Sequence, residues 1–164
     1  LAAGLLGMAP DDPRIPDSLA LARAAGMEVR FGKILLRGAH PNSVLLRVED
    51  GTGTQLEVVA SSLGGGRVKV CAIDGLEASF SGEMPTLIVR NQDRPGVVAE
   101  VAAALSGRAV NIASMQLYRD MRGGLAVMVL ESDQPIPPPA VEELRRMPGI
   151  ERCTYLNMEE GRGA

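Results

Sequence analysis

A chain of 164 residues with two cysteines, two tyrosines, two phenylalanines and no tryptophan has room for one domain or two small ones, with a core built from Val, Leu, Ile, Ala and Met. A net charge of −3 without any basic block excludes nucleic-acid binding by phosphate neutralisation. No apolar run approaches the roughly 20 residues that cross a bilayer, and no charged n-region with a cleavage site is present. The expectation is a cytoplasmic protein without a membrane partner.

The chain opens at Leu1 in what reads as a helix already under way, as in a trimmed fragment, and Gly7 and Pro10 stop it. The turn-rich stretch Asp11-Asp12-Pro13-Arg14-Ile15-Pro16 follows. Asp17 or Ser18 then caps a helix carrying Leu19, Leu21, Ala22 and Ala25, which Gly26 ends. Met27-Glu28-Val29-Arg30-Phe31 alternates apolar and polar residues and predicts a half-buried strand. A helix feeding a strand points to an α/β or α+β layer.

His40-Pro41-Asn42-Ser43 leads into Val44-Leu45-Leu46-Arg47-Val48. The Asp50-Gly51-Thr52-Gly53 tip turns back into Gln55-Leu56-Glu57-Val58-Val59-Ala60, a hairpin pattern. A second hairpin-like unit spans Ser61, Ser62, Leu63, the triplet Gly64, Gly65 and Gly66, the strand 67–73, and Asp74-Gly75; residues 76–81 alternate as another strand. Three successive glycines imply positive φ angles or a close approach. They make either a backbone nest for an anion or a plain bulge or tight turn. They are not a P-loop, since no Lys-Ser/Thr follows. His40, the one histidine, is either an acid–base or anion-binding group or a loop residue bonding its neighbours. Cys71 and Cys153, far apart and without CxxC spacing, read as a reduced, buried pair and cannot hold an iron–sulfur cluster or zinc unaided.

Gly82-Glu83-Met84-Pro85 is the best boundary, giving domains 1–82 and 85–158. Beyond it Thr86-Leu87-Ile88-Val89 reads as a buried strand, and Asn91-Gln92-Asp93-Arg94-Pro95-Gly96 as a turn. Pro95 sits in a helix's first turn and Asp93 caps it. Val97, Val98, Val101, Ala104 and Leu105 form one apolar stripe; Gly107 ends the helix, and Val110-Asn111-Ile112-Ala113 starts a strand ending at Tyr118. Residues 119–124 turn the chain into strand 125–131. The proline run 135–139 reads as a rigid connection rather than an SH3 ligand, leading to helix 140–147, and Pro148-Gly149 precedes a last strand, 150–158. Glu142/Glu143 and Glu159/Glu160 read as solvated surface, and residues 159–164 as a disordered tail.

The D-R-P-G turn opening a helix, with Asn111-Ile112 about sixteen residues on, resembles the ACT domain, a small-ligand sensor that commonly binds amino acids. The resemblance implies a ferredoxin-like βαββαβ unit that pairs side by side as a homodimer. It implies a ligand position where Asn91, Gln92, Asp93, Arg94, Gly96 and Val97 meet Asn111 and Ile112 of a second copy. Asn91 both donates and accepts, and the helix N-terminus attracts a carboxylate; alternatively the turn is only a capping device in a dimerisation module.

Leu5-Leu6-Gly7-Met8, Asp12-Pro13-Arg14-Ile15-Pro16, His40-Pro41-Asn42-Ser43, Ser61-Ser62-Leu63-Gly64-Gly65-Gly66 and Ile73-Asp74-Gly75, in that order ahead of an ACT unit, are similar to the β chain of the iron–sulfur-dependent bacterial L-serine dehydratases. That resemblance covers nearly the whole chain. It implies an α+β protein: an N-terminally truncated α/β allosteric-substrate-binding-like domain, then the ACT domain. It implies a catalytic α component, separate or fused, whose cysteines hold a [4Fe–4S] cluster acting as a Lewis acid, so that L-serine yields aminoacrylate, then pyruvate and ammonia. This chain would bind no cofactor, hold no catalytic residue and be inactive alone. His40, Asn42, Ser61, Ser62, Gly64, Gly65 and Gly66 would face the α component and help to bind serine. The alternatives are the regulatory region of a phosphoglycerate dehydrogenase and a purely structural ACT dimerisation module.

Overall fold

The computed structural model describes residues 1–158; the expected tail, with Glu159 and Glu160, lies outside the described residues. The chain forms two compact units, Leu1–Arg37 and Gly38–Ala164.

The first unit contains helices α1 (Ala2–Leu5) and α2 (Ser18–Ala24), the latter entered through a 3-10 turn at Ile15–Asp17. Gly7 and Gly26, both at positive φ, end the two helices as expected. Neither Asp17 nor Ser18 caps α2 with its side chain. Asp12 instead holds the connection: it accepts from the Arg14 backbone N–H at 2.8 Å and guanidinium at 2.6 and 3.0 Å. That pairing lowers its carboxyl to about 2. Residues 27–31, expected as a strand, form none, and Phe31 is 68% exposed. Alternation licenses a strand only where a neighbour completes the ladder, and no described strand pairs with this segment. Within residues 1–82, the helices fall in the first unit and the described strands in the second, where they are all antiparallel.

In the second unit β1 (Ser43–Glu49), β2 (Gln55–Gly64), β3 (Arg67–Ile73) and β4 (Leu76–Phe80) make an antiparallel meander in the order β1-β2-β3-β4. Glycine-bearing tips explain it. Gly64 pairs with Arg67, leaving Gly65 and Gly66 as a two-residue turn with φ +62 and +78, the positive pair a type I′ hairpin needs. Asp74 and Gly75, at φ 49 and 78, do the same between β3 and β4.

The remainder is βαββαβ: β5 (Thr86–Gln92), α3 (Val97–Ser106), β6 (Ile112–Arg119), β7 (Leu125–Ser132), α4 (Pro138–Arg145) and β8 (Ile150–Leu156), with strand order β6-β7-β5-β8. Leu87, Val89, Met128, Leu130 and Cys153 bury one face of this sheet against Val101, Leu105, Val141 and Leu144 of the helices. The other face, Ile88, Val127 and Val129, packs on Ile73, Ala78 and Phe80 of the first sheet. Gly82 to Pro85 is thus a junction inside the second unit. Gly107 ends α3, as expected, but in right-handed geometry, and the positive φ falls two residues later at Ala109. The proline connection is tied to β8, its Ile136 N–H donating to the Tyr155 hydroxyl at 3.0 Å. Cys153 is buried and Cys71 only half-buried, on different sheets; both are free thiols.

Candidate functional site

Asn91 ends the inward row Leu87-Val89-Asn91 on the helix-covered face of β5, set by the two-residue period of a strand. It is 2% exposed, between Ala126 of β7 and Ile150 of β8. Its Nδ2 donates to the Gln92 carbonyl at 2.8 Å, whereas its Oδ1 is buried without a partner. A buried acceptor left unpaired costs about 1–3 kcal/mol, so this is a polar socket at the end of an apolar row. The chain then turns through Gln92, which is exposed, and reaches Gly96, at φ +95, where α3 starts. No side chain caps α3, so its first N–H groups stay available to an anion. Val97 is buried beneath it.

Two expected roles are corrected here. Asp93 does not cap α3: its Oδ2 accepts from the Gly123 N–H at 3.0 Å and Arg119 at 2.9 Å, clamping the β6–β7 turn. Those bonds, the Gly123 N–H first, hold its carboxyl below the usual range. Pro95 stands outside the helix, before the Gly96 cap. Arg94 staples the loop, donating to both Glu100 oxygens at 3.0 and 2.7 Å and to the Pro148 carbonyl at 2.9 Å. The pairing depresses the Glu100 carboxyl and raises the Arg94 guanidinium.

Asn111 is exposed and donates to Asp133, while Ile112 packs into the helix-side core. Within one chain these two lie far from Asn91. Asn91 pairs with Ala126 at the start of β7, and Ile112 with Ser132 at its end, about 20 Å apart at roughly 3.4 Å per residue. One copy does not assemble the whole expected set.

The first sheet collects the other candidates at one end. Asn42 precedes β1, and its carbonyl accepts the Ser62 N–H at 2.9 Å. Ser43 Oγ donates to the His40 carbonyl at 2.5 Å and sits 2.8 Å from Ser61 Oγ, itself 3.4 Å from Cys71 Sγ. His40 Nδ1 accepts the Asn42 N–H at 3.2 Å, which leaves the neutral ring's proton on Nε2. Gly64, Gly65 and Gly66 form the adjoining tip, where an added Cβ would meet nothing within 4 Å. Positive φ, not close approach, is what these glycines supply.

Sequence reasoning missed Glu100, Arg119, Asp133 and Ser43. Glu100, an acid in a helix's first turn, and Ser43, which bonds the His40 carbonyl three residues back, are locally detectable; Arg119 and Asp133 act through long-range pairing. Among the described residues no group of three or more His, Cys, Asp or Glu is placed to hold a metal. Two thiols on different sheets do not fit a cluster that takes four.

The ACT domain family matches residues 85–149. A probable L-serine dehydratase β chain of Bacillus subtilis (strain 168) is 32% identical over 153 residues, covering 93% of this chain and 69% of that one. The L-serine dehydratase β chain of Peptoniphilus asaccharolyticus is 33% identical over 162 residues, covering 98% and 71%. A D-3-phosphoglycerate dehydrogenase of Methanocaldococcus jannaschii is 35% identical over 89 residues, but these make up 54% of this chain and 17% of that enzyme. With two such relatives above 30% identity, each aligned over nearly all of this chain and more than two thirds of its own length, the chain belongs to the family of L-serine dehydratase β chains.

Proposed function

We propose that this chain is the regulatory and assembly component of an L-serine dehydratase, sensing L-serine or a related amino acid in its ACT unit and seating on a catalytic α component. The observation that carries the reading is the buried, unpartnered Asn91 Oδ1 on the same sheet face as the uncapped α3. An amino acid answers both: its ammonium supplies the missing donor, and its carboxylate suits the N–H groups of a helix start. Asn111 and Ile112 join the pocket from a second copy paired along the free edge of β6, where Met115 and Leu117 expose apolar surface. The ordered end of the first sheet (His40, Asn42, Ser61, Ser62 and the glycine tip) faces the α component. The [4Fe–4S] cluster and the lyase chemistry belong to that α component, and this chain alone is inactive. The dehydratase reading is preferred to a dehydrogenase regulatory region because the β-chain relatives share 93% and 98% of this chain.

Calorimetric titration of the chain with L-serine tests this, beside Asn91→Ala and Gly65→Val variants. Heat in the parent that disappears in Asn91→Ala supports the ACT pocket. Loss only in Gly65→Val, with circular dichroism unchanged, moves the site to the first sheet. No heat in any of the three removes the sensor.

A further inference from the structure

We infer that Asp74 and Arg90 form a relay carrying occupancy of the ACT pocket to the first sheet; the inference rests on the pocket reading given above. Arg90 directly precedes Asn91 on β5 and points to the opposite face, toward the first sheet. Its Nη1 donates to Asp74 Oδ2 at 2.5 Å and its Nε to Glu151 Oε2 at 3.1 Å. Asp74 uses its other oxygen on the first sheet: Oδ1 accepts the Glu57 N–H at 2.9 Å, and the Asp74 N–H returns to the Glu57 carbonyl at 2.8 Å. One carboxylate thus bridges two sheets. Among the described residues this is the ion pair that joins them, beside an apolar cluster of Ile73, Ala78, Phe80, Val127 and Val129 that is non-directional.

The pocket end of the relay has a deformable part. Arg90 pairs with Arg152 and Asn91 with Ile150, so Glu151 is the extra residue of a β-bulge, a place where a ladder bends readily. Glu151 is also the second partner of Arg90. A ligand that engages Asn91 Oδ1 favours whichever bulge geometry presents that oxygen best, and Arg90 moves with the bulge. At the far end Asp74 is held at φ +49 in a two-residue turn, so an Arg90 steadied by a filled pocket also steadies the Asp74 bonds to Glu57. Glu57 in turn pairs with Arg47 of β1 at 2.7 Å, and β2 runs on to Ser61 and the glycine tip. Two pocket states and a contact that differs between them are what coupling requires.

The test is amide exchange at Glu57 in the whole chain, with and without saturating L-serine, alongside calorimetry on the same samples. Serine is expected to slow Glu57 exchange about tenfold, an ordinary size for coupling between sites. Arg90→Lys, which keeps the charge but loses the fork, and Asp74→Asn, which keeps Oδ1 as an acceptor, should each bind serine with heat yet lose that slowing. Serine heat in the parent with Glu57 unmoved overturns the relay and leaves the pocket standing. Slowing retained in both variants overturns it as well. No serine heat in the parent removes the pocket and the relay together.

Discussion

The two four-stranded sheets are alike in size and antiparallel pairing, and they differ in cover. In the ACT sheet β7 is buried from Ala126 to Leu130, because helices lie on one face and the first sheet on the other. In the first sheet Val44, Leu45, Leu46, Val58 and Val59 remain half-exposed. Both sheets have apolar residues on both faces, yet only one has both faces covered.

Truncation gives the largest contrast. Leu105→Ala, at a side chain with no exposure, should destabilise the second unit by about 2–5 kcal/mol, whereas Leu45→Ala should cost about 1 kcal/mol. Urea unfolding measures both; equal losses would mean the first sheet is covered in solution. Next come the turns. Gly149 has φ +81, and an added Cβ would lie 3.1 Å from Arg94 Nε, so Gly149→Ala should cost about 1–2 kcal/mol. Gly65→Asn at the open tip should cost a few tenths, roughly what a type I′ position tolerates.

A smaller effect separates the clamps by pH. Asp93 has a depressed folded pKa, caused first by the Gly123 N–H and then by Arg119. Its stabilisation is fully present above the unfolded value, about 4, and is lost as pH falls through the folded value. Asp93→Asn should flatten the acid side of a plot of urea midpoint against pH; an unchanged slope would deny the clamp. Finally, burial pushes the Cys153 thiol up to about 11. In the folded chain at neutral pH, iodoacetamide should label Cys71 well before Cys153, and mass spectrometry reads the order.

Legibility followed sequence distance. The hairpins were readable because glycine and Asp-Gly pairs mark turns locally: the positive φ angles at 64–66 were anticipated, as was βαββαβ order from the D-R-P-G turn onward. Asp93 was misassigned because Arg119 and Gly123, the partners that define it, lie 26 and 30 residues away. Residues 27–31 carried the period of a strand, but period says nothing about a neighbour. The Ile73-Asp74-Gly75 motif was visible as a turn; that its carboxylate reaches the ACT sheet is a property of layering, which no local pattern encodes.

Residues 27–37 belong to no helix or strand, and Phe31, Ile34 and Leu35 stand largely in solvent. Among the described residues this is backbone accessible to a protease, whereas ladder and helix bonds guard most of the described backbone C-terminal to Gly38. Brief digestion, with Lys33 and Arg37 as tryptic sites, should release a core beginning near Gly38 that keeps all eight strands. That shorter piece retains the Asn91 socket and the glycine tip together, so the sensing and assembly proposed above can be tested on it without the leading helices.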